Sequence, residues 1–176
     1  MPDLISYFER YALVSLEKQA RLTALLGEHI PDIDIDAGIV KFNGLSLPFQ
    51  VLGTESDNAL VWLWAWADEQ TEIPEPLLAQ VRELKRWGEK ESLSELFVPS
   101  VDLNHADGTM LALIASEICK ANGFYRDPYE GGALFLLVYG AALDDRLVFD
   151  RRGLVLQLTD LASCYDFNHR HALQSY

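Results

Sequence analysis

Three sets of residues in this chain have types that could do chemistry: a thiol with histidines, a row of carboxylates, and phenols grouped around an arginine. Cys119 with His105 or His169 offers a nucleophile and a base. Yet Cys119 falls on one face of a helix with Leu111, Ala112 and Ala115, where a thiol behaves as an inert small hydrophobe. A serine nucleophile is not indicated either, since Gly44-Leu45-Ser46-Leu47-Pro48 lacks the second glycine of a G-x-S-x-G elbow. Asp32, Asp34 and Asp36 open like a calcium loop, but Ala37 stands where that loop needs glycine and Asn43 where it needs glutamate. His105-Ala106-Asp107 supplies two ligands at most, and His169 and His171 point apart if they lie on a helix. Walker A and G-x-G-x-x-G phosphate cradles are absent, so Gly131-Gly132 reads as a tight turn. No cofactor, metal or catalytic residue is expected, and a binding protein is favoured over an enzyme.

The phenols are more promising for binding. Tyr125, Arg126 and Tyr129 can stack on and hydrogen-bond to a small molecule or peptide, on what reads as a Tyr/Pro/Gly loop over Phe124 to Gly132. The competing reading has the rings covering a sheet edge while Arg126 pairs with Asp127 or a surface acid. The acids form the second candidate. Asp plus Glu number 27 against 14 Lys plus Arg, a net charge of −13. Between Arg21 and Arg82 lie ten acids and one base, Lys41. Such a field opposes a nucleic-acid backbone or an anionic membrane and favours a basic protein, with solubility as its plainer use.

These residues need a scaffold, and its centre is Ala59 to Ala67. Alternation in an extended strand puts Leu60, Trp62, Trp64 and Trp66 on one face, with Ala59, Val61, Leu63, Ala65 and Ala67 on the other. Both sets are apolar, which predicts a strand covered on both sides, and helices packed over Trp62, Trp64 and Trp66 are expected in place of an open aromatic groove. Upstream, Leu4, Phe8, Tyr11, Leu22, Leu25 and Leu26 mark a helix over 3–26, capped by Asp3 and stopped by Gly27, with a weak middle at Ser15 and Gln19. Asp32 to Asp36 alternates strictly as a strand with one wet face, Ala37-Gly38 turns it, and Asn43-Gly44 signals a hairpin. Pro48 predicts an edge or bulge in the following strand. Pro74 and Pro76 start a second helix that Gly88 ends, Leu93 to Val98 forms a short turn or strand, and Asp107 caps a third, largely buried helix that runs to about Asn122 and stops at Gly123. Ala133 to Tyr139 is another buried strand, Asp150-Arg151-Arg152-Gly153 a turn, Leu154 to Tyr165 strand or helix, and Asn168 the cap of a last helix. This order predicts a single α+β domain over residues 1–176, mainly an antiparallel sheet with helices packed on it.

Three stretches also resemble a known family. Leu52-Gly53-Thr54-Glu55-Ser56, Trp62-Leu63-Trp64-Ala65-Trp66-Ala67 and Tyr125-Arg126-Asp127-Pro128-Tyr129-Glu130-Gly131-Gly132-Ala133 are similar to a family of small bacterial domains of unknown function. Asn168-His169-Arg170-His171 matches its carboxy-terminal helix. The resemblance implies a compact cytosolic domain and supplies neither substrate nor catalytic residues. Two cysteines, no signal peptide pattern, and apolar runs (59–67 and 133–143) too short to span a bilayer agree with that setting. The function expected is an acidic protein-binding module of immunity or antitoxin type that docks on a basic partner. The alternative is a small-ligand binder or enzyme with a pocket near Tyr125, Arg126, Tyr129 and His105.

Overall fold

The computed structural model describes residues 3–27 and 30–140, with Leu143 and Thr159. The turn at Asp150–Gly153, the element at 154–165, the helix capped by Asn168, and the side chains of Cys164, His169 and His171 lie outside the described residues.

Helix α1 (Leu4–Leu26) begins where Asp3 accepts hydrogen bonds from the Ser6 N–H and hydroxyl at 2.9 and 2.8 Å. It ends at Gly27, whose φ of 57° is one glycine adopts readily. The weak middle of its stripe has a structural use. Buried Ser15 donates to the Leu113 carbonyl, and Gln19 both donates to the Phe124 carbonyl and accepts the Phe124 N–H.

Among the described residues seven strands form one antiparallel sheet: β1 (Asp32–Asp34), β2 (Ile39–Phe42), β3 (Leu45–Ser56), β4 (Val61–Trp64), β5 (Ser100–Asp102), β6 (Gly123–Tyr129) and β7 (Gly132–Val138). With α2 (Ala79–Glu91) and α3 (Gly108–Ile118) they make the α+β fold that the element order predicts. Twelve-residue β3 is the axis: its start pairs with β2, its last four residues with β4, and residues 49–56 with β7. The order across the wide end is β6-β7-β3-β4-β5. Asn43 and Gly44, both at positive φ, make the hairpin turn their sequence announces.

Several boundaries differ from the sequence expectation. The Trp strand is four residues long, because Leu60 sits in the preceding turn at φ 52° and Ala65–Ala67 closes into a 3-10 turn. Leu60 is therefore exposed, and Trp66 leaves the row of Trp62 and Trp64. Strand β1 stops at Asp34, whose carboxylate accepts the Ala37 N–H and pulls the chain into its turn. Phe124 to Tyr129 is an edge strand, not a loop; Pro128 is tolerated there because an edge leaves backbone positions without a ladder partner. The bulge in β3 lies between Val51 and Gly53 instead of at Pro48. Pro48 accepts the Tyr139 N–H, so its missing donor faces the side on which β7 has already ended. Gly88 does not end α2. It is buried inside the helix against Leu96, and Ser92 at φ 59° makes the stop. Helix α3 likewise ends at Ile118, with Lys120 at φ 55° reversing the chain and Gly123 opening β6. Strand β5 has no counterpart in the sequence reading.

The helices pack on the sheet face carrying Trp62, Trp64 and Phe135, all of them fully buried. Trp62 meets Trp64 and Phe135 edge-on at centroid separations of 5.2 and 5.0 Å. The Trp64 indole N–H donates to the Glu95 carbonyl at 2.9 Å. On the reverse face, Val61 and Leu63 are only half-buried, so β4 is not covered equally on both sides.

Candidate functional site

The stretches that carry the family resemblance meet around one buried carboxylate. Glu55 projects from β3 beside Trp62 and is 8% exposed. Its Oε1 accepts from Arg126 Nε and Nη2 at 2.8 and 2.6 Å, the arginine reaching across β7 from the edge strand β6. Its Oε2 lies against Gly108, the first residue of α3, where a helix amino end stabilises negative charge. The Tyr129 hydroxyl donates to the Glu55 carbonyl at 3.4 Å. Glycines make room for this cluster. A Cβ at Gly53 would sit 2.7 Å from the Trp62 ring, one at Gly108 would strike Glu55 Oε2 at 2.5 Å, and one at Gly132 would run into the Glu55 carbonyl. Arg126 thus pairs with a buried acid two strands away, not with Asp127.

Tyr125, Arg126 and Tyr129 do not converge on a pocket. Strand alternation sends Tyr125 and Arg126 to opposite faces of β6. His105 follows β5, at the other edge of the sheet, where its Nε2 is 2.8 Å from Glu95 Oε1. Burial pushes the Glu95 carboxyl up, but the bonds from His105, its own N–H and Ser94 outweigh it and leave that pKa below its ordinary value. Cys119 is buried at the end of α3, and desolvation, with Glu83 nearby, pushes its thiol up to about 12. That thiol is protonated at neutral pH and a poor nucleophile. Trp62 and Trp64 are sealed under helices, while half-buried Trp66 carries the Lys85 ammonium 3.9 Å above its ring. Among the described residues no three His, Cys, Asp or Glu side chains are grouped to hold a metal ion, and no helix is long and apolar enough to cross a membrane.

Sequence reasoning missed a different feature, on the reverse face. A cavity of about 140 Å³ opens there over the row Leu63–Thr54–Leu134, three residues in register across β4, β3 and β7. Val51 and Ala65 extend its floor, Ile35 and Ile73 form its walls, and Asp68, Thr71 and Glu72 stand at its rim. Asp68 shapes that rim by accepting the N–H groups of Gln70 and Thr71 at 2.9 and 3.1 Å. Burial raises the Asp68 pKa, but those bonds and one from the Thr71 side chain prevail, so the carboxyl stays below its usual range and ionised. The only sequence signal was weak: Ile35 and Ile73 are apolar residues next to acids, which also describes an ordinary surface.

Of the segment carrying Asp32, Asp34 and Asp36, the residue that lines this cavity is Ile35, which lies between the last two. Asp34 pairs with Lys41 at 3.1 Å, whereas exposed Asp32 and Asp36 have no ion-pair partner among the described residues. The same holds for Glu69 and Glu72; Glu75 pairs with Arg82. Two acid-bearing segments distant in sequence, 32–36 and 68–72, therefore both contribute to the lining of one apolar cavity, the first through Ile35 and the second through Asp68, Thr71 and Glu72.

No characterised protein and no solved structure matches the chain. A family model does match, over residues 5–140, which takes in all three stretches around Glu55 and the whole lining of the cavity. On that match the chain belongs to the family of unknown function DUF6882.

Proposed function

We propose that this protein is a non-enzymatic binding module whose acidic face docks on a basic protein, as an immunity or antitoxin protein docks on its target. The observation that carries the reading is the joining of the acid-bearing segments 32–36 and 68–72 at one cavity, with no base among its lining residues. Like charges gathered without neutralisation raise local potential, which speeds encounter with an opposite surface and repels anionic ones. A reducing cytosolic setting accords with the free buried thiol of Cys119. A ligand pocket at Tyr125, Arg126 and Tyr129 has less support, because Glu55 already engages the guanidinium.

Affinity capture at low and high salt tests this, using the natural chain and a variant combining Asp32→Asn, Asp36→Asn, Asp68→Asn and Glu72→Gln. A basic protein held at low salt, released at high salt and not held by the variant is the expected result. Failure to retain any basic protein, or equal retention by the variant, rejects the proposal.

A further inference from the structure

We infer that the reverse-face cavity is the anchor site of this docking surface, and that it takes one aliphatic side chain of the partner flanked by lysine or arginine. The inference rests on the docking proposal and narrows it to a partner chemistry. Size comes first. A cavity of about 140 Å³ is close to the roughly 150 Å³ apolar cavity known to hold one benzene in another protein, so a single Leu, Ile or Met side chain fills it. The floor row Leu63–Thr54–Leu134 and the walls Ile35 and Ile73 offer apolar contact on several sides, with Thr54 the one polar side chain of that row. Charge decides what must flank the anchor. Asp68 and Glu72 stand at the rim, and no base lines the cavity, so a residue next to a seated anchor meets carboxylates. An acidic or neutral flank would desolvate these groups without compensation, whereas Lys or Arg pairs with them and keeps its stem on apolar surface. Hydrophobic anchor and cationic flanks are therefore both demanded by the same few residues.

The probe is a capped pentapeptide, Lys-Arg-Leu-Lys-Arg, titrated into the full chain carrying labelled Ile, Leu and Val methyl groups and followed by NMR. Methyl shifts at Ile35, Val51, Leu63, Ile73 and Leu134 are expected. Replacing the central Leu by Ala should weaken binding about 10- to 100-fold, the equivalent of losing one buried aliphatic side chain. Glu72→Gln, an exposed change with little effect on folding, should weaken the Leu peptide and steepen its loss in salt. Thr54→Leu, which fills the cavity from its floor, should abolish the methyl shifts while leaving weak charge-driven binding.

Equal binding of the Leu and Ala peptides, with shifts spread over the acidic loops alone, overturns the anchor and leaves the docking proposal standing. Absence of binding by either peptide overturns both. Benzene moving the same methyls as strongly as the peptide, regardless of salt, would make this a small-molecule pocket and overturn the inference. Methyl shifts that depend on protein concentration without peptide would assign the cavity to a second copy of the chain, with the same consequence.

Discussion

Glu55 and its surroundings show how single residues set the fold at the wide end of the sheet. A buried carboxylate is costly unless paired, and here Arg126 and the amino end of α3 share that task. Arg126→Ala is expected to destabilise by about 1–2 kcal/mol, less than a fully buried pair would lose because the arginine side chain is itself 41% exposed. Urea unfolding read as a midpoint shift at constant slope checks this, and adding Glu55→Gln should recover part of the loss. Gly132→Ala should cost more, about 3 kcal/mol, since its Cβ would collide with backbone that has no freedom to move. Glu95 gives a pH signature. Its pKa is lower in the folded state, so its contribution is fully present above the unfolded value near 4.5 and is lost as pH falls through the folded value. Stability should therefore drop in acid, and His105→Ala, which removes one of the bonds holding Glu95 down, should flatten that drop in unfolding measured across the acid range. None of this pairing was legible beforehand. Glu55 and Arg126 are 71 residues apart, and a charged residue beside Thr and Ser reads as surface.

At the scale of elements, the reading succeeded where local chemistry decides. Asp3 and Gly27 bound α1 because capping is settled within four residues, and Asn43-Gly44 fixes a hairpin for the same reason. It failed where tertiary contact overrides local preference. Alternating apolar residues from Ala59 to Ala67 satisfy a strand on paper, yet only Val61–Trp64 finds partners on both sides, in β3 and β5. Gly88 reads as a helix stop, but its role is the close approach of Leu96. Gly88→Ala consequently sets two effects against each other. Alanine gains about 1 kcal/mol of helix propensity, while a Cβ placed 2.6 Å from Leu96 Cβ forces helix and turn apart. The clash should prevail, with a net destabilisation of about 1 kcal/mol in thermal or urea unfolding. Asp107→Ala tests the start of α3: its carboxylate accepts the Met110 N–H at 2.7 Å, and the loss should be about 1 kcal/mol.

For the whole molecule, the sheet separates two jobs. One face buries Trp62, Trp64 and Phe135 under helices and supplies stability. The reverse face presents a cavity whose lining runs from Ile35 to Leu134, with the carboxylates of Asp68 and Glu72 at its rim. Charge was readable from the sequence because it needs only counting. The cavity was not, because its floor exists only once β4, β3 and β7 lie in register. Hydrogen exchange on the full chain, alone and saturated with the basic protein it captures, tests the assignment most directly. Protection at 32–36 and 68–73 and along the strand segments beneath the cavity is the predicted footprint. Protection confined to the helices, or to the edge strand Gly123–Tyr129, would contradict it.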